Sequence, residues 1–316
     1  MSLLAAFLIQ NFWKIAVGFV LGFFCLPAST EAKIPQQCGR GVALKLSAPE
    51  SAQGSLLLLE VQSNAPIADL SGEWNGRALE FWSVARPESS SKTPEVDLRR
   101  TLLGVDLEKA PGSYPVSVRV QTASREPAAC TLEIPIRMGK FATESLHVEK
   151  EFVEPSPEQI KRANEERDRL RAIFDQVTTQ KLWSGSFRVP LDGVSTGGNF
   201  GKRRILNGQP GSPHSGVDFP ASTGTPVHAA QSGRVVLAQE LFFSGNTVVI
   251  DHGLGVYTFY GHLSAIEVKA GDDVQPGQVL GKVGATGRVT GSHLHWGLTV
   301  ERARVNPLQI VSLLNE

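Results

Sequence analysis

The 316-residue sequence has no excess of charge: 31 Lys and Arg balance 31 Asp and Glu. No excess charge therefore points to nucleic acid or to an acidic membrane surface, the balance says nothing further about partners, and no nucleic acid is expected. Cysteine is scarce as well. Cys25, Cys38 and Cys130 are the whole set. The densest apolar run, IAVGFVLGFFCL from Ile15 to Leu26, has twelve residues and is too short to cross a bilayer alone. Absent too is any HExxH pattern, so the glutamate that serves as base in many metal-dependent proteases has no counterpart here. What remains is an ordinary globular composition, 41% hydrophobic and 20% charged, long enough for about two domains.

The N-terminus reads as an export signal. Lys14 precedes the apolar run and the small residues of PASTEA follow it, with cleavage expected near Thr30 or Ala32. If Leu3 to Trp13 joins the run, residues 1–32 instead stay as an uncleaved membrane anchor. A lipoprotein is set aside because bulky Phe23 and Phe24 precede Cys25. Loss of the leader leaves Cys38 and Cys130, an even pair in an oxidising compartment, for which a disulfide is expected. It would close a loop of about 90 residues and stabilise by roughly 4–5 kcal/mol at most. The protein is therefore expected in the periplasm or cell envelope.

Three parts follow the leader. Residues 33–140 carry short β-rich runs, among them SLLLLEVQS from Ser55, YPVSVRVQ from Tyr114 and TLEIPIRM from Thr131, separated by polar turns. An accessory β-sandwich, immunoglobulin-like in the loose sense, is expected, its disulfide tying the first strand to the penultimate or last. Trp74, Trp82 and Tyr114 are read as core. Residues 141–182 form a linker with a helix: Ser156-Pro157-Glu158-Gln159 reads as a capping box, and Ile160, Ala163, Leu170, Ile173, Phe174 and Val177 fall on one stripe. Residues 183–316 are glycine-rich β structure, so the fold class as a whole is mainly β.

Six of the seven histidines, His214, His228, His252, His262, His293 and His295, lie in that last part. In the segment GRVTGSHLHWG, His293 and His295 are two apart and share one face of a strand, while Leu294 and Trp296 face the other way. In HSGVD, His214 and Asp218 share a face if the segment is extended. Two imidazoles and a carboxylate suit a tetrahedral Zn²⁺ whose fourth position is left to water. His228 and His252 are read as structural histidines.

These residues resemble the lysostaphin-type, or LytM-like, zinc metallopeptidases that cut peptidoglycan. The likeness is carried by FGKRR from Phe200, NGQPGSPHSGVDFPASTGTPVHA from Asn207, GNTVVIDHGLGVYTFYGHLS from Gly245 and VQPGQVLGKVGATGRVTGSHLHW from Val274, and it covers roughly residues 187–307. It implies a twisted antiparallel sheet with a groove over the metal, metal ligands His214, Asp218 and His295, and His262 and His293 beside the metal as catalytic groups. It implies peptidoglycan peptides as the substrate, with water as nucleophile and a histidine as base. It also implies possible latency through an asparagine, Asn199 or Asn207. Since an unperturbed imidazole titrates at pH 6 to 7, the rate is expected to rise through that region.

Two rival classes compete with this reading. A non-catalytic LytM-like domain that binds peptidoglycan and activates a cell-wall amidase is argued against by the filled ligand positions. A biotinyl or lipoyl carrier is suggested by GDDVQPGQVLGKVG, but no modifiable lysine stands at a hairpin tip, and Lys282 lies inside the strand. The expected activity is zinc-dependent endopeptidase hydrolysis of peptidoglycan cross-links.

Overall fold

Strand alternation and its local failures organise this chain. A computed structural model describes residues 36–39, 41–84, 96–123, 126–193 and 199–314. The expected leader or anchor, residues 1–32, lies outside them. No helix among the described residues is long and apolar enough to cross a membrane. The molecule is mainly β.

In the N-terminal part, two five-stranded sheets enclose one core. The first contains Gln36–Gly39, Val42–Leu46, Leu56–Ser63, Asp97–Gly104 and Trp82–Ser83; the second contains Ser51–Ala52, Ala128–Arg137, Gly112–Thr122, Ile67–Trp74 and Arg77–Ala78. Gly112–Thr122 alternates cleanly, with Val116, Val118 and Val120 in the core between the sheets and Ser117 and Arg119 outside. Trp74 is buried in the same core, its indole N–H donating to the Gly104 carbonyl at 3.0 Å. Cys38 and Cys130 form a disulfide with a Cα separation of 5.5 Å. It staples an edge strand of one sheet to a strand of the other.

The run Leu56-Leu57-Leu58-Leu59 does not alternate because both of its faces are covered. Leu57 and Leu59 enter the core between the sheets, whereas Leu56 and Leu58, with Leu102, enter the core of the C-terminal part. Burial of each such leucine stabilises by about 1.5–3 kcal/mol. Trp82 meets Trp183 edge-on at 5.5 Å across the same contact. Arg304 clamps Asp106 with its backbone N–H and its guanidinium, at 2.7–3.0 Å.

The helix α1 (Pro157–Asp175) begins at a capping box in which Ser156 and Gln159 exchange side-chain to backbone hydrogen bonds. Only its C-terminal half docks: Leu170, Ile173 and Phe174 pack with Tyr257 and Phe259, while Ile160 is 47% exposed. The apolar stripe read from Ile160 onward is therefore longer than the buried one. In the first turns Arg162 pairs with Glu166 and with Glu240 of the strand Gly233–Leu241, while Ile160 stays exposed.

The C-terminal sheet is built from β1 (Gly216–Pro220), β2 (Gly233–Leu241), β3 (Gly245–Asp251), β4 (Val256–Ile266), β5 (Val279–Val283) and β6 (His293–Val300). Its main path runs β1-β6-β4-β3-β2, all neighbours antiparallel, with β5 also paired to β4. Val217, Phe219, Tyr260, Leu294 and Trp296 point into the core on one face. The opposite face carries the histidines.

Candidate metal centre and its groove

The register of three strands assembles the site. Asp218 of β1 stands opposite His295 of β6, Pro220 opposite His293, and Gly261 of β4 on the other flank of His295. Along β6, alternation puts His293 and His295 on one face and the fully buried Leu294 and Trp296 on the other. His214 comes just before β1 and is held by two backbone bonds with the Gly201–Lys202 segment. The glycine between the two residues of HSGVD has a steric reason. A Cβ at Gly216 would stand 2.7 Å from the His295 ring.

His262 reaches this face by breaking the alternation. Tyr260 points into the core, so simple alternation would send His262 there too. The β3–β4 register slips between Asn246 and Val248, setting Gly261 and His262 against Thr247 alone. This is a bulge, and His262 sits at its turn with φ 65°. A non-glycine residue in that region is sparsely populated and costs on the order of 1–3 kcal/mol. The result is a His262 ring 4.9 Å from that of His293 and 5.9 Å from that of His295.

Three donors converge. The ligand atoms of His214, Asp218 and His295 lie within 4.8 Å of one another. His214 Nε2 is 2.9 Å from both Asp218 Oδ1 and His295 Nδ1, and His295 Nδ1 is 2.8 Å from Asp218 Oδ1. The Nδ1–H of His214 donates to the Asn199 carbonyl at 3.0 Å, which leaves Nε2 as an electron-pair donor. Two imidazole nitrogens and a carboxylate oxygen so close together are relieved by a cation between them. The spacing is a little under the roughly 3.3 Å edge of a zinc tetrahedron with bonds of about 2.0–2.1 Å, and the donor set fits that ion. Burial alone would raise the Asp218 carboxyl, but hydrogen bonds and charge from His214 and His295 hold it far below the usual carboxylate range. Burial pushes the His295 imidazole down, against the pull of Asp218.

His262 and His293 flank the cluster in matching poses. Each gives its Nδ1–H to a backbone carbonyl at 2.8 Å, Thr286 for His262 and Gly291 for His293, so each has a free Nε2. That of His293 lies 3.7 Å from Asp218 Oδ1. Burial, with the neighbouring His295 and His293, pushes the pKa of His262 down to about 3. Burial thus favours the neutral form of His262, against the expectation of an imidazole titrating at pH 6 to 7.

Other residues are sorted by the same geometry. His228 bonds Gly277, and fully buried His252 bonds Ser232 and Thr258, so neither joins the cluster. Asn199 does stand at the site: its amide N–H donates to Asp218 Oδ2 at 3.1 Å and its amide oxygen accepts the Asp218 N–H at 3.0 Å. Asn207 is spent on Val148 instead. Arg204, which the sequence offers with Arg203 only as a group to steady a substrate carboxylate or to pair on the surface, donates its guanidinium to Asp218 Oδ2 at 3.0 Å; sequence reasoning missed Arg288, which shares the clefts beside the cluster. Their place next to FGK and within GRVTG, near the ligand motifs, was the available signal.

A His-Asp-His cluster on the open face of an antiparallel sheet, with two more imidazoles beside it, is a donor set suited to holding a metal ion next to proton-transfer groups. Residues 212–307 match the model of Peptidase family M23, and the chain carries an M23 peptidase domain of the LytM or lysostaphin type. Among curated proteins it is similar to the peptidoglycan DD-endopeptidase ShyA of Vibrio cholerae, 35% identical over 172 residues, which is 54% of this chain and 35% of that one. It is also similar to the DD-carboxypeptidase/endopeptidase Mpg of Neisseria meningitidis, 42% identical over 97 residues, 31% of this chain and 22% of Mpg. The chain thus spans about a third or less of these relatives' length. A solved structure described as an M23 peptidase from Pseudomonas aeruginosa matches with a TM-score of 0.60 at 27% identity, covering 84% of this chain and 95% of that one. That likeness reaches well beyond residues 212–307.

Proposed function

We propose that this protein is an exported zinc endopeptidase that hydrolyses peptide cross-links of peptidoglycan at a D,D bond. The observation that carries the reading is the convergence of His214, Asp218 and His295 on one point, with the free Nε2 atoms of His262 and His293 beside it. The relatives named for peptidoglycan D,D activity support the substrate.

In this reading His214 Nε2, Asp218 Oδ1 and His295 Nδ1 hold the zinc ion. Zinc there supplies a Lewis acid and a water whose pKa falls from 15.7 toward roughly 7. The protein does the rest. Neutral His262, fixed by Thr286, is suited to accept the water's proton at its Nε2. His293, fixed by Gly291, offers its Nε2 to the oxygen that gains charge on the scissile carbonyl, or exchanges roles with His262. Arg204 and Asn199 orient the outer oxygen of Asp218. The Cys38–Cys130 disulfide agrees with an oxidising compartment such as the periplasm, reached by way of the leader or anchor in residues 1–32. Residues 33–140 are assigned as an immunoglobulin-like accessory sandwich, 141–182 as a linker with its helix, and 183–316 as the peptidase domain.

The test is a pair of variants with metal analysis and digestion of purified sacculi. His214→Ala is expected to lose zinc and hydrolysis together, whereas His293→Ala keeps zinc and loses turnover. Equal zinc loss in both reassigns His293 as a ligand. Intact sacculi after treatment with zinc-loaded wild type refute the reading.

A further inference from the structure

Two guanidinium groups line both clefts that flank the metal centre. Arg204 and Arg288 border the cleft containing His262, His295 and Phe243, and they also border the cleft containing Asp218 and His293. Arg304 and Arg77 are matched with acids, Asp106 and Glu108 for the first and Glu301 for the second. Arg288 is not: among the described residues no carboxylate pairs with it. Its guanidinium lies half-buried over the Phe243 ring at 4.5 Å, and its backbone N–H is bonded to the Phe243 carbonyl. Burial and the charge of Arg204 both disfavour its cationic state, and no acid offsets them. Arg204 spends one N–H on Asp218 and leaves its Nε buried with no partner. Asp218 offsets Arg204 alone, so the charge of Arg288, beside a second guanidinium and without a carboxylate of its own among the described residues, is costly unless the groove's occupant supplies the anion.

The position of the pair fixes where on a peptide that anion must be. Arg288 shares both clefts with the histidines at the reacting centre, so the negative group lies within about one residue of the scissile bond. The residue on the carbonyl side has its α-carboxyl consumed in that bond. The residue on the nitrogen side keeps its own, and it is free when that residue is C-terminal or is joined through a side-chain amine. We infer that Arg288, assisted by Arg204, determines specificity by reading a free carboxylate on the carbon that bears the scissile amide nitrogen. This rests on the peptidoglycan reading above and narrows its substrate class. Guanidinium and carboxylate match as a planar fork, and the stacking on Phe243 holds the fork in place.

The test uses the zinc-loaded full chain and two cross-linked muropeptide dimers, identical except that this one carboxylate is free in the first and a carboxamide in the second. Wild type is expected to show a kcat/KM about 10- to 100-fold higher for the free acid, the range for loss of one charge-assisted pair. Arg288→Gln should bring the ratio of the two rates close to one at unchanged zinc content, and Arg288→Lys should restore part of it. Equal rates on both dimers for wild type overturn the inference while leaving the peptidoglycan reading intact, as does a variant that keeps the wild-type ratio. Hydrolysis of neither dimer, with sacculi also intact, refutes both.

Discussion

Acidification should destabilise this protein through one histidine that takes no part in catalysis. His252 is fully buried, with Nδ1 2.6 Å from the Ser232 carbonyl and Nε2 2.7 Å from the Thr258 hydroxyl. Burial pushes its pKa from 6.5 down to about 4. Above pH 6.5 the ring is neutral in both folded and unfolded chains, and its contribution is constant. Between pH 6.5 and about 4 the unfolded chain binds a proton that the folded one refuses, so stability falls with pH across that window. At pH 5 the loss relative to pH 7 is about 2 kcal/mol, equivalent to a fall in Tm of about 4 °C for a chain of this size. Thermal unfolding of zinc-loaded wild type and His252→Gln at pH 7 and pH 5 measures it. The variant starts less stable, by about 1–3 kcal/mol for its disrupted buried hydrogen bonds. Its fall from pH 7 to pH 5 should nevertheless be smaller by those few degrees. Equal falls in the two proteins would falsify the assignment, since every other titrating group is common to both.

Two further outcomes follow from the geometry. Replacing Cys38 and Cys130 together by Ser should lower stability by up to about 4–5 kcal/mol, because the bridge spans a sequence separation of 92. Zinc content measured on the folded variant should be unchanged, since every ligand lies in the other sheet system, and loss of zinc there would contradict the assignment. Arg204→Met should weaken zinc binding about 10- to 100-fold in a competition titration with a chelator, because Asp218 Oδ2 loses its guanidinium donor. Unchanged affinity would leave Arg204 to the substrate alone.

The reach of the sequence can be judged element by element. The alternation in HLHW was sufficient to put His293 and His295 on one face, since a strand allows no other arrangement of residues two apart. The capping box at Ser156 is equally local, and the hydrogen bonds that define it are present. The evenness of the cysteine count left one pair to form, and that pair is bonded. The LLLL run of residues 56–59 could not be read this way. Its second buried face depends on a partner more than a hundred residues away, and neither period nor composition encodes which layer arrives there.

The histidine spacing and the donor types were legible because they are properties of the chain itself, and they offered His214, Asp218, His293 and His295 as donors; the resemblance to LytM-like peptidases singled out His214, Asp218 and His295 among them. Only the tertiary structure decided the remainder. Asp218 faces His295 because two antiparallel strands pair in one register, and a shift of one residue would have sent it into the core. His262 joins them through a bulge that contradicts its own alternation. The low pKa of His262, the tautomers of both flanking histidines and the grip of Arg204 on Asp218 arise from groups far apart in sequence. Sequence alone determines which chemical groups are available and which way a strand points them; burial and the proximity of distant charges, which set their protonation and their partners, exist only once the strands have packed.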